Sequence, residues 1–297
     1  PLTEHEWKPE TVLISMRESM GDGGGIIGDL GPPPFILYAD GSLFLLNRLK
    51  TDIEYRVEVL TKKLDRLELC KHINTLDQIG FLDYTPSDYS FIGGESLIDG
   101  APSAYMTVNA WKSNSGSYYG LSLFLEDNVV KEYYGQNGYP IISPALRTAY
   151  RLLDQYPSQG LEVYSPEHVV LWIVPAEYYE SVDLSKSIPK WQLESPSLKT
   201  LIEIADTTTY GEDMKFIILD GIEAKSVYQY FGNAIVTRVF EQEMSDGTKE
   251  YYALKVRPLL PYELLGGYRE MSQIPAPGSP KPNFKLTCYP SDGVLSI

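Results

Sequence analysis

Three glycines, Gly23, Gly25 and Gly28, follow a predicted strand at the spacing of a dinucleotide-binding fingerprint. That motif holds a pyrophosphate only where a helix N-terminus follows the glycines. Here Gly31-Pro32-Pro33-Pro34 follows. Consecutive prolines cannot continue a helix and keep the preceding residues extended. The stretch is read as a surface loop, and no cofactor is expected. Asp22 and Asp29 flank the same glycines, but their spacing lacks the alternating oxygen ligands of a calcium loop. The histidines His5, His72 and His168 form no HExxH pattern, and there is no CxxC pair, so no metal site is expected. His72 falls near the polar boundary of a predicted helix and is read as a surface residue. His168 precedes an apolar strand and is read as closing a loop.

Gly94-Glu95-Ser96 comes nearest to a nucleophile elbow and lacks the closing glycine. Forty carboxylates make a glycosidase-type pair possible. Asp99 and Asp220 are singled out only because they stand beside glycines at the ends of elements. No catalytic residue is assigned. Tyr133, Tyr134, Tyr178, Tyr179 and Trp191 fall in or near predicted loops and are the candidates for a sugar-stacking platform or an interface anchor. The competing account is a ring packed on the core with its hydroxyl in water. Cys70 and Cys288 are the only cysteines. They form one disulfide in an oxidising compartment or remain two buried thiols, and spacing does not choose between these.

The elements that would position these residues are an α+β set. Thr11–Arg17 reads as a strand. Phe35–Leu46 reads as strand, turn, strand about Asp40-Gly41, a strong hairpin signal that calls for a two-residue type I′ turn. Ile53, Tyr55, Val57 and Val59 alternate with polar residues, as in a half-buried strand. Thr61 is read as the cap of an amphipathic helix with Leu60, Leu64, Leu67, Cys70, Ile73 and Leu76 on one face, ended by Gly80. Strands are expected at Ala104–Trp111 and Tyr118–Leu125, turning at Ser113–Gly116. Ser143-Pro144 and Ser195-Pro196 each open a helix, with Ser as cap and Pro in the first turn. His168–Val174 is a continuous apolar strand suited to a sheet interior. Lys215–Leu219 is a strand, Asp220 caps a helix ended by Gly232, and Ala234–Glu243 with Lys249–Arg257 form a hairpin. The first ten residues read as a loose lead-in.

Three segments are expected: an N-terminal α+β unit over 1–140, a C-terminal α+β unit over 141–266, and a Pro/Gly-rich tail over 267–297. The tail should wrap onto the body or onto a neighbouring subunit, with Cys288 pinning it. Tyr118-Tyr119-Gly120-Leu121 and Tyr251-Tyr252-Ala253-Leu254 occupy similar places in their hairpins, as a duplicated unit would have them. Two unrelated hairpins of aromatic and β-branched residues give the same likeness.

The net charge is −15, and an acidic surface of that size repels both a phosphate backbone and anionic lipid. No apolar run reaches the roughly 18 residues of a membrane span. The chain starts at Pro1, as a mature or trimmed form would. Phe35-Ile36-Leu37-Tyr38-Ala39-Asp40-Gly41 resembles the F-x-LY-x-DG hairpin of predicted bacterial envelope proteins, often lipoproteins, and Val256-Arg257-Pro258-Leu259-Leu260-Pro261-Tyr262-Glu263 resembles a second segment of such proteins. The resemblance implies a β-rich domain and an extracytoplasmic place, periplasmic, envelope-associated or secreted. It carries no catalytic residues, and membrane association would come through a partner or an anchor ahead of Pro1. The leading expectation is therefore a non-enzymatic protein that binds another protein, as an accessory subunit of an envelope assembly. A carbohydrate or small-ligand module and a hydrolase with spatially assembled carboxylates are the alternatives.

Overall fold

The computed structural model describes residues 5–19, 32–50, 55–81, 103–108, 117–122, 144–178, 187–208, 211–244, 247–263 and 284–295. The protein is α+β. It has two compact units, one made of Pro1–Leu46, Thr61–Glu162 and Gly278–Ile297, the other of Asn47–Leu60 and Val163–Pro277. Both are discontinuous in sequence, so no single cut divides them.

The first unit is built on a seven-stranded sheet. Its order is β7 (Ser117–Ser122), β6 (Ser103–Val108), β2 (Val12–Ser19), β3 (Phe35–Tyr38), β4 (Ser42–Lys50), β5 (Tyr55–Lys63) and β8 (Glu162–Val163), and the boundary between the units falls within β4, β5 and β8. β3 is buried along its whole length, which is why all four of its residues are apolar or aromatic. The β3–β4 connection differs from the expected two-residue turn. Gly41 N–H donates to the Tyr38 carbonyl, so Ala39 and Asp40 are the central residues, and Gly41 closes the turn with φ +83°. This is the three-residue pattern with glycine in the left-handed position. Asp40 stays at negative φ, and its carboxylate accepts from Ser42 N–H at 2.8 Å.

A Cβ at Gly41 would lie 2.5 Å from the carbonyl oxygen of Leu64, whose own N–H donates to the Gly41 carbonyl. Backbone on both sides leaves nothing to give way. Gly41→Ala is expected to destabilise the first unit by about 2–4 kcal/mol, read from urea unfolding midpoints. A loss under about 1 kcal/mol would show that this approach is not tight.

Helix α1 (Arg66–Gln78) and helix α2 (Pro144–Asp154) belong to this unit. The expected cap at Thr61 is incorrect. Thr61 lies in β5 and its hydroxyl donates to the Leu43 carbonyl, while Asp65 caps α1. Leu60 and Leu64 precede the helix, and Leu67 is largely exposed. Nor is the N-terminal stretch loose throughout: β1 (His5–Trp7) pairs antiparallel with β14 (Phe284–Leu286).

The second unit holds a five-stranded sheet of order β10 (Asp206–Thr208), β11 (Gly211–Asp220), β9 (His168–Pro175), β13 (Lys249–Pro258) and β12 (Val236–Glu243). β9 is central, and its apolar run is buried on both faces. Val169, Leu171 and Ile173 pack with helices α3 (Leu198–Ile204) and α4 (Gly221–Tyr230). Val170, Trp172 and Val174 point the other way, on the face that also carries Arg257, because Arg257 pairs with Val170. The cap of α3 is Ser197, whose hydroxyl accepts from Thr200 N–H; Ser195 and Pro196 lie outside the helix. The two Tyr-Tyr strands hold different places, since β7 is an outer strand and β13 lies between β9 and β12.

Candidate functional site

Asp65 and Glu68 build the start of α1 as a reciprocal pair. The Asp65 carboxylate accepts from Glu68 N–H at 2.8 Å, and the Glu68 carboxylate accepts from Asp65 N–H at 3.1 Å. Gly80, at φ +79°, ends the helix with its N–H on the Asp77 carbonyl. Between these ends the helix makes two sets of contacts in the first unit, one with the C-terminal segment and one with Tyr156.

Cys70 and Cys288 are joined, with the sulfurs 2.08 Å and the Cα atoms 5.2 Å apart, and both residues are fully buried. Polar contacts frame the bond on both sides. Arg66 donates from Nη1 and Nη2 to the two oxygens of Asp292 at 3.0 and 3.1 Å, a bidentate fork, and from Nη1 to the Thr287 carbonyl at 2.9 Å. The hydrogen bond from Arg66 holds the Asp292 carboxyl below the usual carboxylate range. Asn74 donates to the carbonyls of Tyr289 at 2.8 Å and Gly293 at 3.1 Å. Leu295 N–H donates to the Thr75 hydroxyl at 2.8 Å. The segment 286–295 is thus clamped to α1 along most of the helix. The clamp exposes apolar side chains, with Leu67 on α1 and Tyr289 and Val294 on the segment.

His72 is the second set, and it is not the surface residue expected. It is 2 % exposed, with its ring stacked on Tyr156 at 5.3 Å and Nε2 3.4 Å from the phenol oxygen. Phe35 meets the same tyrosine edge-on at 5.6 Å. Nearby, Lys62 Nζ and Glu68 Oε1 stand 2.5 Å apart, and this hydrogen bond raises the lysine and lowers the glutamate. Burial pushes His72 down to about 4 and raises Tyr156. The folded state therefore keeps His72 neutral down to acidic pH.

A depressed histidine binds fewer protons folded than unfolded between pH 6.5 and about 4. Its contribution is fully present above pH 6.5 and is lost as pH falls toward 4, amounting to about 3 kcal/mol at 1.36 kcal/mol per pKa unit. Against a His72→Phe variant, the wild-type chain should lose that much more stability between pH 7 and 4. Parallel pH profiles would show that His72 is not held neutral.

Trp191 is half-buried, and its indole N–H donates to the Pro196 carbonyl at 2.9 Å. Its ring lies 4.9 Å from Tyr230, 5.2 Å from Phe240 and 6.3 Å from Phe231, so it closes an aromatic cluster of the second unit. Tyr178 is 58 % exposed in a 3₁₀ turn, Ala176–Tyr178. Tyr133, Tyr134 and Tyr179 lie outside the described residues, as do the Gly23–Gly28 loop with Asp22 and Asp29, Gly94–Ser96, and Asp99. Asp220 is the exposed first cap of α4, without a side-chain capping bond. His5 lies in β1, and the backbone carbonyl of His168 accepts from Leu259 N–H.

The clamp residues Arg66, Asn74, Thr75 and Asp292 were not singled out in the sequence. Spacing offers one hint, since Arg66 stands four residues before Cys70 and Asp292 four after Cys288. The arrangement supplies a buried disulfide and an ordered segment with exposed apolar side chains. Among the described residues no three His, Cys, Asp or Glu side chains gather closely enough to hold a metal ion, and no helix is long and apolar enough to cross a membrane. Comparison with protein-family models, with curated proteins and with solved structures finds no match to this chain.

Proposed function

We propose that the protein acts by contact, as an extracytoplasmic subunit of a bacterial envelope assembly, and that the clamped segment 286–295 is the surface it presents to a partner. The observation that carries this reading is the Cys70–Cys288 clamp itself. A disulfide persists where the surroundings are oxidising, which favours a place outside the cytoplasm. A short segment fixed in one conformation before binding loses little further entropy when a partner docks. Tyr289, 46 % exposed, is of the type that anchors such contacts.

The test is isolation of the oxidised protein from its own envelope fraction, followed by native mass measurement. A stoichiometric protein partner is expected. It should be lost when Tyr289 and Val294 are both changed to serine, substitutions at exposed positions that leave the clamp intact. A bare monomer from the same fraction, or a partner indifferent to those changes, defeats the proposal.

A further inference from the structure

We infer that Cys70–Cys288 is a reversible latch, opened by a dithiol reductant, that decides whether segment 286–295 is docked on α1. The inference rests on the reading of that segment as a contact surface and names how the surface is regulated.

Beyond Leu286, whose strand pairs with β1, the segment has little else to hold it. Among its described residues, Leu286 and Cys288 are the buried apolar side chains, whereas Tyr289, Pro290, Ser291 and Val294 are exposed. The remaining contacts are hydrogen bonds and the Arg66–Asp292 pair, each of which water can replace. Ordering ten residues on those contacts alone is opposed by their conformational entropy. The covalent bond removes that opposition by keeping the segment beside the helix.

The surroundings also favour one direction of exchange. Arg66 Nη1 lies 3.7 Å from Cys70 Sγ, and no cation is similarly placed on Cys288 among the described contacts. A thiolate formed at Cys70 is stabilised by that guanidinium, so Cys70 is the better leaving group. The reductant's thiolate attacks Cys288 Sγ, the S–S bond breaks, and its electron pair leaves on Cys70. The reductant's second thiol then displaces Cys288 from the mixed disulfide. The protein gains two electrons and two protons as two thiols, and the dithiol becomes a disulfide. Both cysteines are buried, so attack follows peeling of the exposed stretch Tyr289–Ser291.

The test is hydrogen exchange on the full chain before and after treatment with dithiothreitol, with the disulfide state followed by mass. The amides of Tyr289, Asp292, Gly293 and Leu295 are hydrogen-bonded in the clamp. Their exchange is expected to quicken at least about tenfold on reduction and to slow again on reoxidation, while β2 and β3 keep their protection. Unchanged clamp amides after complete reduction overturn the inference, and so does loss of protection throughout the first unit. With glutathione in place of the dithiol, the mixed disulfide should sit on Cys288, and an adduct on Cys70 overturns the direction of attack. These measurements need no partner, so a failure of the contact reading leaves them standing, and a rigid clamp leaves the contact reading standing.

Discussion

Replacing Glu263 with leucine is expected to cost the second unit about 3–5 kcal/mol. Glu263 is the ion-pair partner of Arg257, which is 3 % exposed on the face of β13 opposite α3 and α4. Arg257 Nη2 donates to Glu263 Oε1, while Nε and Nη1 are buried without partners among the described residues. Glu263 Oε2 accepts from Leu260 N–H at 3.0 Å, so one carboxylate both neutralises the guanidinium and fixes the turn that follows β13. Removing it leaves a buried charge already short of acceptors. The reverse substitution should be far milder, because Arg257→Met removes the charge and both unpartnered donors together. The double variant Arg257→Met/Glu263→Leu is expected within about 2 kcal/mol of wild type. Chemical unfolding of the three variants decides it. If Glu263→Leu is no worse than the double variant, the pair is solvated and the reasoning fails.

Trp172→Ala is expected to cost about 3–5 kcal/mol, and Trp172→Phe much less, near 1–2 kcal/mol. Trp172 sits in the central strand between Phe216 of β11 and Lys255 of β13, and it is almost fully buried. Alanine removes the whole ring system and opens a cavity in the sheet's most enclosed row. Phenylalanine keeps most of the packing, and the one polar group it deletes, the indole N–H, has no acceptor among the described residues. Losing an unpartnered buried donor recovers part of the cost of the smaller ring. Thermal unfolding of both variants separates the terms. Equal costs would mean that the indole N–H is satisfied by something other than protein.

These two sites illustrate what the sequence conveyed and what it withheld. The run Val169–Val174 announced a central strand because only a strand covered on both faces uses apolar residues without alternation. It said nothing of Arg257 lying two pairs along on the same face, since that depends on the β9–β13 register. The Asp40-Gly41 hairpin was legible, but its turn was one residue longer than the dipeptide suggested: Asp40 keeps a negative φ and Gly41 alone takes the left-handed position. Thr61 was a plausible cap because Leu60 and Leu64 continue the helical spacing by chance. The Asp65–Glu68 pair, three residues apart as a capping box requires, was the better signal. His72 was misread because its burial comes from Tyr156, 84 residues away, and no local pattern carries that information. The clamp was beyond reach for the same reason: its hydrogen bonds join residues 215 to 226 positions apart.

The pairing of β1 with β14 sets an order of events during synthesis. The first unit combines residues 1–46 and 61–162 with residues 278–297, so it stays incomplete until residues 284–295 have emerged from the ribosome. The second unit has every stretch it needs some residues sooner and can acquire its native sheet while the first still lacks a strand. Joining Cys70 to Cys288, which needs an external acceptor for two electrons and two protons, is therefore open only to a chain translated through Cys288. A product truncated ahead of residue 284 would hold a lone thiol on α1 and an unpaired β1. Such a product differs chemically from the chain that carries Cys288: its Cys70 thiol is free to react, whereas in the longer chain it is held in the disulfide.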